Sequence, residues 1–264
     1  MTRRLAHLPI AAAMLVLAGA AAPAAAQSLA ERVGAIRDGT VVMRFAARPG
    51  VCGSGRSIRI DDTTIRWSGD DDGPCDDGPV RVALTVRDRR IVRVRTRVGG
   101  EWRPAADAVD LGAVPAPAAA AYLLDLAATL AGEPAKDAIL PATLADSATV
   151  WPALLDLSRD GTRPRATRKA AVFWLGQQAA HAATAGLEEI VEDPNDDREV
   201  RKAAVFALSQ RPADEGVPAL IRIARTSPDP ELRRSAIFWL GQSEDPRALD
   251  FFEEVLLSKG GTRG

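Results

Sequence analysis

Histidine, cysteine and tyrosine are nearly missing from this 264-residue sequence, which has two, two and one of them. His7 lies in an N-terminal apolar segment, so only His181 remains for the folded part, inside the small-residue run GQQAAHAATAG. Such a connector histidine is expected to be solvated rather than catalytic. No serine elbow, no His-Glu zinc motif and no Gly-Lys-Ser/Thr phosphate loop occurs. Carboxylate-only catalysis stays open, but no pair of acids is singled out by spacing. The formal charge is −1, which gives no support to nucleic-acid binding as the main role.

What is present begins with a targeting pattern. MTRR supplies a basic start, LPIAAAMLVLAGAAA an apolar stretch and APAAAQ a small-residue end. The pattern predicts a secretory signal over residues 1–26, cleaved after Ala26, and hence a periplasmic or secreted protein. The apolar run is short and alanine-rich for a membrane span, and no cysteine follows it to carry a lipid. No later segment is expected to span a membrane. Cleavage removes Arg3 and Arg4 and no acid, leaving three more acidic than basic residues. In an oxidising compartment Cys52 and Cys75 are expected to form a disulfide. Closing that loop contributes about 3 kcal/mol in the chain-entropy view. Two cysteines without a nearby histidine make a poor zinc site.

Residues 27–112 are expected to form a small antiparallel β region. GTVVMRFAA, RSIRI and TTIRW read as short strands. PVRVALTVRDRRIVRVRTRV reads as a hairpin, with Val80, Val82, Leu84 and Val86 alternating with polar positions. After RDRR, Val92, Val94, Thr96 and Val98 are expected on the apolar face and Arg93, Arg95 and Arg97 on the other. That arginine face is expected to be solvated or paired with the acidic loop SGDDDGPCDDGP. The alternative is a site for an anionic cell-envelope ligand. The loop aspartates Asp70, Asp71, Asp72, Asp76 and Asp77 lack EF-hand spacing and a closing glutamate, so a surface turn is expected there rather than a calcium site.

From Pro115 the hydrophobic period becomes helical, with a break or restart expected at Pro141. Three near-copies then appear: RKAAVFWLGQ from Arg168, RKAAVFALSQ from Arg201 and RRSAIFWLGQ from Arg233. Their spacings of 33 and 32 residues predict a solenoid. WPALLDLSRD, AGLEEIVED and VPALIRIART precede the copies, and RALDFFEEVLL follows the last, so each unit is a helical hairpin. Asp196 with Glu199 fits a capping box. Asp229-Pro230 and Asp245-Pro246 fit an N-cap followed by proline.

EVRKAAVFALSQ and PELRRSAIFWLGQSEDPRALDFFEEVL resemble the short HEAT repeats first noted in phycobilisome lyases. Ankyrin and tetratricopeptide signatures are absent. The arrangement is similar to exported bacterial HEAT proteins with a small cysteine-bearing β region in front. The resemblance implies an α+β chain whose residues 116–258 form an α-solenoid, with 259–264 a flexible tail. It implies a protein or peptide partner and no chemistry, cofactor or metal. Some HEAT-like proteins act on tetrapyrroles, so a lyase or an enzyme accessory is the alternative.

Within each second helix Val200, Ala204, Ala207 and Leu208 are expected inward. Val172, Val205 and Ile237 are expected between units, and Trp174 and Trp239 in the core. The residues left for a partner are Arg168, Lys169 and Phe173, then Arg201, Lys202 and Phe206, then Arg233, Arg234 and Phe238. They would form a basic-edged aromatic row on the concave face. The oligomeric state is open.

Overall fold

A computed structural model of the chain describes residues 28–260, apart from 56, 62, 67–74 and 179. The signal segment, Asp70 to Asp72 and residues 261–264 lie outside the described residues. The described chain opens with a capping box. The Ser28 hydroxyl accepts from the Glu31 amide and the Glu31 carboxylate accepts from the Ser28 amide, satisfying two end donors of helix α1, Leu29–Gly34.

Eight strands follow among the described residues: β1 (Gly39–Phe45), β2 (Val51–Gly53), β3 (Ser57–Ile60), β4 (Thr63–Arg66), β5 (Asp76–Asp77), β6 (Val80–Arg87), β7 (Arg90–Arg97) and β8 (Val109–Ala113). They form two four-stranded sheets, ordered β7-β6-β1-β8 and β4-β3-β2-β5. All pairs are antiparallel except β1 with β8, which run parallel. The first sheet is therefore mixed rather than purely antiparallel. Strands β2, β5 and β8 are too short or too polar to show a period. The disulfide joins Cys52 to Cys75, with Cα atoms 5.3 Å apart.

The β6–β7 hairpin turns on Asp88 and Arg89, both at positive φ (48° and 60°), as a two-residue primed turn requires. Its inner residues Val80, Val82, Leu84 and Val86 are almost fully buried. The expected alternation fails once. The register shifts between Thr85 and Val86, so Ile91 opposes Val86 and Arg93 opposes Thr85. Val92 is the extra residue of that bulge and is 46% exposed.

Ten further helices complete the chain: α2 (Ala116–Thr129), α3 (Glu133–Asp137), α4 (Ile139–Thr143), α5 (Trp151–Arg159), α6 (Arg165–Gly176), α7 (His181–Glu192), α8 (Arg198–Ser209), α9 (Ala213–Thr226), α10 (Pro230–Leu240) and α11 (Pro246–Gly260). The break expected at Pro141 falls at Ala138, and Pro141 sits in the first turn of α4, where its missing N–H costs nothing. Helices α5, α7, α9 and α11 are the first helices of successive hairpins, and α6, α8 and α10 the second. The second helices pack more closely side by side than the first, so their row lies on the inner side of the stack's curve.

The β region and the helices share one hydrophobic cluster, from Val41, Phe45 and Leu84 through Leu123, Ile139 and Leu144 to Leu208 and Leu240. Backbone bonds cross the junction: Arg48 N–H donates to the Leu144 carbonyl (2.8 Å) and Asp146 N–H to that of Ala46 (3.0 Å).

Within the stack, Val172 and Val205 are fully buried between units as expected, but Ile237 is 40% exposed. Helix α10 is the last second helix described, so no further hairpin among the described residues covers that flank. Between α6 and α8 the close approach is made at Gly176, where an added Cβ would lie 2.9 Å from the Ala207 Cβ. Gly176→Ala is expected to cost about 1–3 kcal/mol by overpacking. Gly161→Ala, which meets nothing within 4 Å, should change stability by less than about 0.5 kcal/mol. Urea unfolding of the two variants checks this.

Candidate functional site

The second-helix row repeats one surface pattern. Lys169, Phe173 and Gln177 lie four residues apart on α6 and its cap, as do Lys202, Phe206 and Gln210 on α8, and Arg234, Phe238 and Gln242 at α10. Spacing of four places each trio along one helix face. The three glutamines are exposed.

The phenylalanines do line up, with Trp239 between two of them and Trp174 at the end. The Phe173 and Phe206 rings stack at 6.5 Å, and Phe206 meets Trp239 at 5.0 Å. Trp174 caps Phe173 edge-on at 5.0 Å, and Trp239 holds Phe238 at 4.9 Å. A continuous five-ring row results. Phe173 is 36% and Phe238 58% exposed, while Phe206, between two rings, is half-buried. Trp174 and Trp239 were expected in the core. They are instead partly buried against it, because their rings extend to the phenylalanine row and meet it edge-on or tilted. The middle copy carries Ala207 where its neighbours carry tryptophan, and Gly176 occupies that space.

The basic edge is different from the expectation. Arg168 and Arg201 are buried, at 5% and 6% exposure. Arg168 Nε donates to the Ser158 carbonyl (2.7 Å) and Nη2 to both Asp196 oxygens (2.6 Å each). Arg201 Nε donates to the Val191 carbonyl (2.9 Å), and its Nη1 lies 3.8 Å from Asp229. Each guanidinium thus joins the end of its own first helix to the acid that starts the next second helix. They are not a face for a partner. Arg233, in the last copy, donates only to the Ser227 and Pro228 carbonyls and is half-buried.

The expected capping box at Asp196 is also replaced. Asp197 is the N-cap of α8, accepting from Glu199 N–H, and Asp196 is turned to Arg168. Asp229 does both jobs in the next unit, capping α10 through Glu231 N–H while facing Arg198 and Arg201. Of the outer cations, Lys202 pairs with Glu199 (3.4 Å) and Arg234 with Glu231. Lys169 is exposed, and no ion pair holds it among the described residues.

One buried cluster has no counterpart in the repeat pattern. Arg211 is 6% exposed and donates to Thr184 Oγ1 (2.9 Å), to the Gly176, Gln178 and Ala180 carbonyls and to Glu215 Oε2 (2.8 Å). It ties the α6–α7 connection to α9. Gln178 and Ser243 stand at the equivalent positions, so no repetition marks this residue in the sequence. Hydrogen bonds from Thr184 and Arg211 hold the Glu215 carboxyl below its usual range.

Residues 184–263 match the family model of HEAT repeats. The chain contains HEAT repeats. The α5–α6 hairpin lies before the matched residues and repeats the geometry of the HEAT units behind it. No curated protein matches the chain by sequence. HEAT repeats generally mediate protein–protein interaction and are typically non-catalytic. His181 is exposed at the start of α7. Among the described residues no three His, Cys, Asp or Glu side chains gather as a metal site, and no helix is long and apolar enough to cross a membrane.

Asp196→Ala leaves Arg168 buried without its counter-charge and is expected to cost about 3–5 kcal/mol. Arg234→Ala removes an exposed pair and should cost under about 1 kcal/mol. Denaturant melts decide between these magnitudes. A lowered carboxyl pKa stabilises the fold above the unfolded value, about 4.3 for glutamate. That contribution fades as pH falls through the lower folded value. Melting temperature is expected to drop less between pH 5 and pH 3 in Glu215→Gln than in the parent chain.

Proposed function

We propose that this chain is an exported, non-enzymatic scaffold that docks a protein or peptide partner on its second-helix row. The observation that carries the proposal is the five-ring row with two phenylalanines left exposed. Phe173 and Phe238 stay on the surface, each between a cation and a glutamine. Aromatic side chains provide large contact area at low entropic cost and are enriched at binding hot spots. With Lys202 and Arg234 paired, recognition rests mainly on apolar contact, and the exposed glutamine amides offer donors and acceptors to a partner's backbone.

Export rests on the N-terminal pattern of residues 1–26. A lyase or enzyme-accessory role gains no specific support from the geometry, because the row's polar groups are amides, two paired cations and Lys169.

Crosslinking pulldown from periplasmic extract, read by mass spectrometry, tests the proposal. Phe238→Glu is expected to abolish partner recovery with melting unchanged, since its ring is 58% exposed, and Phe173→Glu to abolish recovery with a small fall in melting temperature, since Trp174 and Phe206 flank its ring. Phe206→Glu is a poorer probe, being held between two rings. Undiminished recovery with both variants folded would sink the proposal.

A further inference from the structure

The outer face of the first sheet concentrates positive charge in a way that its packing does not require. Across it run the pairs Arg97–Arg81–Arg44, then Arg95–Ala83–Val42, then Arg93–Thr85–Thr40. Like charges set directly opposite one another on a sheet are destabilising. Most of these arginines are occupied. Arg44 pairs with Asp110 at 3.4 Å, Arg97 donates to the Gly55 carbonyl (3.2 Å), and Arg93 lies in the field of Asp137 on α3. Arg81 donates to the Gly99 and Gly100 carbonyls (2.9 and 3.2 Å). Arg95 alone in its row has neither an acid nor a carbonyl partner among the described residues, and it is exposed.

Arg81 has a second consequence. Its two bonds fold the chain after β7 back over the sheet. Gly99 permits the fold-back: its φ is 59°, and an added Cβ would lie 1.9 Å from the Gly53 carbonyl oxygen. Residues 101–105 thereby form a roof over the sheet and enclose a cleft of about 330 Å³, near the small end of ligand sites, about 300 Å³. Its floor is Val42 and Ala83 with the Thr40 and Thr85 hydroxyls. Arg95 and Arg97 line one side, and Glu101, Trp102 and Arg103 line the roof, so three cations face one carboxylate in the cleft. Trp102 is half-buried. Among the described residues Arg103 is engaged by Glu101, at 3.0 Å with both side chains more than 80% exposed, a pair that an incoming anion can displace.

We propose that this cleft binds an acidic saccharide. Arg95 and Arg103 would supply the counter-charges for its carboxylate or phosphate. The Thr40 and Thr85 hydroxyls would bond the ring oxygens, and the Trp102 indole would pack on the ring. A lone positive patch would bind any anion. The combination of an arginine without a partner among the described residues, an indole wall and two threonines in one cleft selects an anion joined to a ring. This site is separate from the helix row, so either can fail without the other.

Glucuronate, glucose 6-phosphate, glucose and inorganic phosphate are titrated into the folded chain by calorimetry and amide NMR. Both acidic sugars are expected to bind, inorganic phosphate more weakly, and glucose not at all. Arg95→Gln should weaken both acidic sugars at least tenfold, about the loss of one charge-assisted hydrogen bond. Arg90→Gln, on the exposed strand end outside the cleft, should not. Trp102→Ala should weaken the acidic sugars and leave phosphate unchanged. Melting curves confirm that each variant is folded. The proposal is overturned if neither acidic sugar binds, if Arg90→Gln matches Arg95→Gln, or if Trp102→Ala has no effect.

Discussion

The junctions between successive HEAT units are hung on buried guanidinium groups. Arg168 and Arg201 reach back to the last turn of their own hairpin's first helix and forward to the acid that opens the next second helix. One planar group satisfies an orphan helix-end carbonyl and at the same time faces a carboxylate of the following unit. The spacing between units is thereby set by a charge pair that neither partner can leave cheaply. The first junction uses two acids, Asp196 for Arg168 and Asp197 for the cap. The second makes Asp229 serve both, at the longer distance of 3.8 Å from Arg201. Arg211 adds a third tie of different design, holding a loop rather than a repeated helix end.

That arrangement explains the surface. With Arg168 and Arg201 drawn inward, what remains on the second-helix row is aromatic and amide, edged by Lys169, Lys202 and Arg234. The rings touch because the second helices are drawn close together, and Gly176 against Ala207 makes the closest approach. The same close packing exposes the last unit: α10 carries Ile237 and Phe238 on a flank that no further described hairpin covers. The β region closes the other end of the stack through a shared core and backbone bonds at Leu144 and Asp146.

The repeat, its hairpin form and the disulfide were legible in the sequence, because each rests on local signals: period, proline and N-cap placement, and a lone cysteine pair. The inward set Val200, Ala204, Ala207 and Leu208 followed from helical spacing alone. The arginines were misplaced for a physical reason. A repeated Arg-Lys pair next to a phenylalanine looks like a solvated edge, and a guanidinium's long stem lets its head lie far from where its Cα points. A clue was present in the acids 28 residues on, Asp196 and Asp229, but their caps offered a competing use. Val92 was misplaced because a bulge shifts the face by one residue. Strands β2, β5 and β8 carry too few residues for any period to register.

The sequence by itself determined the class of fold, its units and the one covalent link, since periodicity and composition act over a single turn or strand. Tertiary structure alone decided which cations are spent inside, that the tryptophans extend the phenylalanine row, and that a roof of residues 101–105 makes a cleft of the arginine face. Those outcomes depend on groups brought together from distant positions, such as Arg81 with Gly99 or Arg211 with Thr184. No local pattern encodes such meetings.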